Sequence, residues 1–450
     1  MLDAKLPHLE KIIDEQIFAA RFAEFFAPIL EERDLKLENC RVESIQHSKG
    51  SRCRTLYRLK FRRSTGERFE KWFHGRALKK KRAERTYHKS QSVHNPTDFW
   101  PPVSYWRDWN FVLWAFPHDA GMPKLPKALS PEFIRAGLDA NVEAFQELNS
   151  PNWRFASVEI DEIKYMPGKR CVLRYRTAFK NEIGEKKSFS FYGKAFDDSS
   201  SQFKFETLCA IYENFRHVVE IPRPLAHIPE ANLIWQEDWG GKPLDEALPE
   251  LDWPALFVKL GAVTAKLHMT PCTELPCLTT PKSFVRRMKE DALALVWRLP
   301  EHREYFEQVH QRLNDAHETI GAEGAPQAPT HGALRVEQFL VKGETLALLD
   351  FDEAELCDPH AEVAEFIASL RHLEFLKGLN SADLAAAASA FEEGYCKHVT
   401  WRVDQRRIAW YAAASWLTKI NDSIKSLTHN ANETLDSKMQ LLDGWLAKLG

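Results

Sequence analysis

Residues 329–366 read PTHGALRVEQFLVKGETLALLDFDEAELCDPHAEVAEF, two short polar clusters separated by an apolar hairpin. His331-Gly332 opens a turn, and Gln338 stands just before the apolar run Phe339-Leu340-Val341. Lys342-Gly343-Glu344 is a tight connection, and a second run, Leu346 to Leu349, ends on Asp350-Phe351-Asp352. Such a hairpin sets the amide of Gln338 and the carboxylate of Asp350 at neighbouring strand ends. Oxygen ligands placed there can hold a hard cation such as Mg²⁺ and, through it, a phosphate. If the chain stays extended, Asp352 lies on the same face as Asp350, whereas Glu337, one residue from Gln338, points elsewhere.

The order His-Gly, Gln, hairpin, Asp-Phe-Asp, then Asp358-Pro359 before a helix resembles the C-lobe signature of the aminoglycoside phosphotransferase and choline kinase family, whose fold is protein-kinase-like. The resemblance implies that Gln338 and Asp350 bind the metal and that ATP with Mg²⁺ is the phosphoryl donor. It also puts the catalytic aspartate directly after His331-Gly332, and this chain has Ala333 there. Asp352 is then the nearest carboxylate that could serve as base, ahead of Glu337.

The 450 residues are enough for two or three domains, and 44% hydrophobic with 28% charged content is that of a globular protein. Lys+Arg 61 against Asp+Glu 64 gives no overall charge that would draw nucleic acid or an anionic membrane, and both are excluded as partners. No apolar run approaches the length of a membrane span, and the acidic start of the chain is not a signal peptide. Eight scattered cysteines, without a C-x-x-C pair, read as free thiols in a cytoplasm.

One stretch occurs twice. Gly50, Arg52, Cys53, Tyr57 and Arg58 recur 118 positions later as Gly168, Arg170, Cys171, Tyr175 and Arg176, and Phe73, Gly75 and Arg76 recur as Phe191, Gly193 and Lys194. With a small shift, Phe111 to Trp114 matches the stretch at Leu233-Ile234-Trp235. These fixed offsets indicate duplication of one β-rich unit.

The second copy resembles the N-lobe of the same family. In that reading Gly168, Lys169 and Arg170 form a turn facing nucleotide phosphates, Lys194 reaches the phosphates, and Glu206 is its partner. Gln236, Glu237 and Asp238 then form the linker whose backbone binds adenine. The first copy has Arg76 for Lys194, and a forked guanidinium does not replace a compact ammonium. The basic run Arg76 to Arg82 could bind an anion, but as a charge run it reads first as a solvated helix face.

Helical spacing covers residues 8–33, 253–268 and 284–320, and then 384–391, 408–420 and 435–449. The expected fold is α+β, a kinase-like pair of lobes preceded by a degenerate N-lobe-like unit. Its segments are 1–150, 151–240 and 241–450. The expected activity is ATP-dependent phosphoryl transfer to a hydroxyl of a small-molecule substrate, weakened by Ala333. The alternatives are a nucleotide-binding pseudokinase with a protein partner, acting as scaffold or sensor, and an aspartate replaced by alanine on purpose.

Overall fold

The computed structural model describes residues 3–91, 99–141, 145, 153–197, 200–279, 281–320, 324–427 and 433–450. It divides into two compact units, the first comprising 1–202, 225–236 and 425–427, and the second 203–224, 237–424 and 428–450.

The first unit opens with three short helices, α1 (Leu9–Ile13), α2 (Glu15–Phe25) and α3 (Ala27–Glu32), within the stretch of helical spacing at 8–33. Asp14 separates α1 from α2 because its carboxylate accepts the N–H groups of Gln16 and Ile17, a capping geometry that starts a new helix. Strands β1 (Leu35–Ser48), β2 (Arg52–Arg63) and β3 (Arg68–Leu78) follow, then helix α4 (Lys80–Gln91), and then β4 (Val103–Trp106) and β5 (Phe111–Ala115). They form one sheet in the order β1-β2-β3-β5-β4. Alternation along β2 and β3 turns Cys53, Tyr57, Leu59, Phe61, Phe73 and Ala77 toward the helices, where Phe18 stacks on Tyr57 at 3.7 Å.

Helix α5 (Pro131–Ala140) leads into β6 (Arg154–Met166), β7 (Arg170–Lys180), β8 (Lys186–Phe196), helix α6 (Ser201–Phe215), β9 (Pro224–Ile228) and β10 (Leu233–Glu237). Their sheet has the order β6-β7-β8-β10-β9, strand for strand that of the first. The likeness reaches irregular details. The first hairpin of each sheet has two register shifts in its leading strand. Each turns at a glycine with φ 69°, Gly50 or Gly168, and each carries a left-handed asparagine, Asn110 or Asn232, before its last strand. The two sheets lie in one unit, where Leu56 and Trp72 of the first share a core with Tyr165, Tyr175 and Trp235 of the second.

The second unit is mainly helical. After β11 (Lys242–Pro243) and α7 (Leu244–Ala247) come α8 (Trp253–Met269), α9 (Pro281–Arg298) and α10 (Arg303–Ile320). Then follow β12 (Ala328–Thr330), β13 (Phe339–Lys342), β14 (Thr345–Leu348) and β15 (Glu355–Cys357). The chain ends with α11 (Pro359–Lys377), α12 (Ser381–Cys396), α13 (Gln405–Lys425) and α14 (Leu435–Leu446). The expected hairpin at 339–348 is present, and β11 pairs with its first strand. Trp410 and Trp416 of α13 are fully buried in the core. Among the described residues no helix is long and apolar enough to cross a membrane, and the eight cysteines are free.

In each sheet a buried tyrosine of the second strand ties the strand to the preceding segment. Tyr57 donates to the carbonyl of Ile12 at 2.8 Å and Tyr175 to that of Ala128 at 2.9 Å. Removing either hydroxyl leaves a buried carbonyl unsatisfied, so Tyr57→Phe and Tyr175→Phe should each lower the unfolding free energy by about 1–3 kcal/mol in urea titrations.

Candidate active site

The turn at His331-Gly332 follows β12 and is held from α11. Glu362 is buried, and its two carboxylate oxygens accept the backbone N–H groups of His331 at 3.0 Å and Gly332 at 2.8 Å. His268 of α8 contacts the same carboxylate through Nε2 at 2.8 Å, and its Nδ1 meets the hydroxyl of Tyr395 on α12, also at 2.8 Å. Burial pushes the Glu362 carboxyl upward, but hydrogen bonding and charge from His268, with the His331 contacts, outweigh it and hold the group below the usual carboxylate range. One ionised carboxylate thus joins three helices to the turn.

His331 is itself fully buried, and its Nε2–H donates to the carbonyl of Leu349 at 2.6 Å, clamping the turn to the end of β14. Gly332 has φ 81°, and a Cβ there would stand 1.9 Å from the carbonyl oxygen of Glu353, so only glycine fits. Ala333 follows, and Arg335 folds back with Nε 3.5 Å from the Ala333 carbonyl.

Gln338 closes a 3-10 turn directly before β13, and its carbonyl accepts the N–H of Leu349 at 2.9 Å. The hairpin therefore brings Gln338 opposite the chain that leads into Asp350, with Gln338 Nε2 3.5 Å from Asp350 Oδ2. Asp350 adopts a left-handed conformation, φ 68° and ψ 50°, which is uncommon for a residue with a side chain and is maintained where the surroundings require it.

The expectation that Asp352 continues an extended segment is corrected. Asp350 reverses the chain, Phe351–Glu353 is a 3-10 turn, and Phe351 packs against the His331 ring at 4.6 Å. Lys204 of α6 reaches the Asp352 carbonyl at 3.3 Å. Glu337 is exposed on the turn before the hairpin, not on a strand. Asp358 caps α11, and its carboxylate also receives His360 Nδ1 at 2.7 Å, Arg407 Nη1 at 2.9 Å and the Tyr411 hydroxyl at 3.1 Å.

The donors Gln338 and Asp350 are oxygen-bearing and adjacent, which suits Mg²⁺, an ion that takes one or two carboxylate or amide ligands and keeps waters and phosphates as the rest. A cation between them needs the amide oxygen of Gln338 turned toward Asp350, a flip about the amide axis. Among the described residues, no group of three or more His, Cys, Asp and Glu side chains could hold a metal.

The other expected residues are distributed over both units. Gly168, Lys169, Arg170, Lys194 and Gln236 lie in the first, and Glu206, Glu237 and Asp238 in the second. Gly168 and Lys169 form the tight turn between β6 and β7, and Arg170 begins β7. The Gly168 N–H already donates to buried Asp119 at 2.5 Å, so it is not free to meet a phosphate as the sequence reading expected. Asp119 also accepts the N–H of Gly121 at 2.7 Å and the Tyr165 hydroxyl at 2.7 Å. Burial pushes its carboxyl up, yet the His74 charge and these bonds hold it below the usual range. Lys194 lies opposite Val172 with its Nζ over the Phe196 ring at 5.8 Å, and Glu206 is on α6. Gln236 and Glu237 end β10, where Glu237 exchanges N–H contacts with Arg223, and Asp238 accepts the Gly240 N–H at 3.2 Å.

Sequence reading missed Glu362, His268 and Asp119. The first two carry no spacing signal, but Asp119 does. Asp3-Ala4-Lys5-Leu6-Pro7 and Asp119-Ala120-Gly121-Met122-Pro123 repeat one pattern, and Asp3 accepts the Gly50 N–H at 2.6 Å as Asp119 accepts that of Gly168.

Compared with known proteins, residues 205–410 match the phosphotransferase enzyme family. No curated protein matches the chain. Similar solved structures include a choline/ethanolamine kinase family protein from Mesorhizobium loti, at 14% identity, TM-score 0.46, over 71% of this chain and 98% of that one. Another is a choline kinase from Cryptosporidium parvum, at 13%, 0.49, 71% and 96% by the same measures. A spectinomycin phosphotransferase in complex with ADP and spectinomycin gives 13%, 0.43, 71% and 98%.

The Glu362 contacts carry a testable cost. Glu362→Ala strands His268 and two backbone N–H groups in the interior, and should reduce unfolding free energy by about 3–5 kcal/mol in denaturant titrations at pH 7. Because the folded carboxyl titrates lower than the unfolded one, its contribution is present above about pH 4.3 and is lost as pH falls through the folded value. The gap between wild type and Glu362→Gln should therefore narrow in acid.

Proposed function

We propose that the protein, whose residues 205–410 match the phosphotransferase enzyme family, transfers the γ-phosphoryl group of ATP to a hydroxyl of a small molecule, more slowly than a member with a complete site. The observation that carries this reading is the facing pair Gln338 and Asp350, with Asp350 held in its left-handed conformation directly beyond the hairpin.

Gln338 and Asp350 would hold Mg²⁺, which when bound neutralises charge on the β- and γ-phosphate oxygens. His331 and Glu362 keep the 331–333 turn in place. Ala333 stands where a carboxylate would accept the hydroxyl proton, so that proton goes to water or to Asp352, the nearest acid beyond Asp350 in sequence. The nucleotide roles of Lys169, Arg170, Lys194, Glu206, Gln236, Glu237 and Asp238 enter this proposal on the sequence resemblance, without Gly168, whose N–H is held by Asp119.

A positioned general base contributes about 10²–10⁴ in rate, or about 3–5.5 kcal/mol of barrier. Phosphoryl transfer depends chiefly on positioning and charge neutralisation, so the remaining site retains a measurable rate. Ala333 also favours a second reading, a nucleotide-binding pseudokinase that acts through a protein partner.

The test is transfer from ATP and Mg²⁺ to a panel of amino alcohols, sugars and aminoglycosides. Ala333→Asp should raise the rate at least about tenfold, and Asp350→Ala should abolish it in both backgrounds. A rate that falls in Ala333→Asp and vanishes in Asp352→Asn would place the base at Asp352. No transfer or hydrolysis in any variant would favour the pseudokinase.

A further inference from the structure

The first sheet has a charge arrangement that the phosphotransferase reading leaves unused. Its face away from α1–α3 carries an apolar patch, Leu78, Val112 and Trp114, packed with Ala83 of α4. Arg54 and Arg76 lie on that same face, directly opposite each other on β2 and β3. Like charges in such a cross-strand pair destabilise a sheet. At the matching register of the second sheet the pair is Val172 and Lys194, with one cation only.

Neither arginine is as exposed as a surface arginine. Both side chains are half-buried, and the Nε of each is buried without a hydrogen-bond partner among the described residues. Arg76 is held over the Trp114 ring at 5.1 Å, and its Nη2 stands 3.6 Å from the point a Cβ on Gly168 would occupy. Burial lowers the pKa of both arginines, and Arg52 and Arg82 add like charge at each. Asp119 offsets part of this, but its oxygens already accept from Gly121, Tyr165 and Gly168. The run Lys79-Lys80-Lys81-Arg82 at the start of α4 also sits at the positive end of a helix, where cations are disfavoured. Arg76, expected on a solvated helix face, is on a strand and half-buried instead.

We propose that Arg54 and Arg76 bind a phosphate dianion, free or as the ester of a small metabolite, with Arg52 and Arg82 at the rim of the site. Two forked guanidiniums match the oxygens of a phosphoryl group, and a dianion would offset the repulsion between them. A recessed pair suits a compact anion. It does not suit the extended backbone of a nucleic acid, which needs a continuous exposed basic surface.

Thermal unfolding and calorimetry of the full chain with inorganic phosphate, and separately with glycerol 3-phosphate, against chloride at equal ionic strength test the proposal. Wild type should show a saturable, phosphate-specific rise in melting temperature. Arg54→Gln and Arg76→Gln should weaken phosphate binding at least about tenfold, and Arg54→Lys, which keeps the charge but loses the fork, should weaken it less. Without phosphate, Arg54→Gln should melt no lower than wild type, because it removes one of two facing like charges. Asp350→Ala should keep the full response. A stronger response to glycerol 3-phosphate would identify an ester as the ligand, and an equal or weaker one the free ion. No response in wild type, an undiminished response in Arg54→Gln, or a response lost in Asp350→Ala would each overturn the proposal.

Discussion

The candidate site depends on one buried carboxylate. Glu362 accepts two consecutive backbone N–H groups at the His331-Gly332 turn and pairs with His268, which is itself tied to Tyr395. Isolated in an apolar interior, such a charge would be costly, and the structure meets the cost by directing donors at both oxygens. The turn is therefore fixed relative to α8, α11 and α12. From the other side, His331 and Gln338 fasten it to the chain between β14 and Asp350. Placement of Ala333 and Asp350 follows from this bracing, and so does the chemistry available there.

The same economy of donors and acceptors recurs in the first unit. Asp3 and Asp119 each cap the glycine turn of a hairpin, and Tyr57 and Tyr175 each anchor a second strand. The two sheets agree in order, bulges and left-handed residues, yet differ where charge is concerned. The cross-strand pair is two arginines in one sheet and valine with lysine in the other. Shared polar anchors maintain the sheet, while the face that carries the charges is free to vary.

Much of this was legible because it rests on local rules. Gly343 between two apolar runs specifies the 339–348 hairpin, apolar spacing specifies α8, α12, α13 and α14 and, as one unbroken stretch, α9 with α10, and equal offsets from Gly50 and Gly168 indicate the repeat. What was not legible depends on distant partners. Glu362 lies on α11 among residues buried on nearly every side, so amphipathic periodicity, which usually marks an acid as solvent-facing, is uninformative there. The extended course expected for Asp352 failed because Asp350 turns left-handed, a conformation for which the sequence offers only a mild preference of aspartate. Gly168 was read as a free phosphate-binding donor because its acceptor, Asp119, is 49 residues away.

The central claim is that Gln338 and Asp350 form a metal-dependent nucleotide site. Calorimetric titration of ATP into the full chain, with and without Mg²⁺, and into Asp350→Ala, tests it most directly. The account predicts saturable binding that requires Mg²⁺ and is lost in Asp350→Ala. Binding of equal strength in Asp350→Ala, or independent of Mg²⁺, would contradict it.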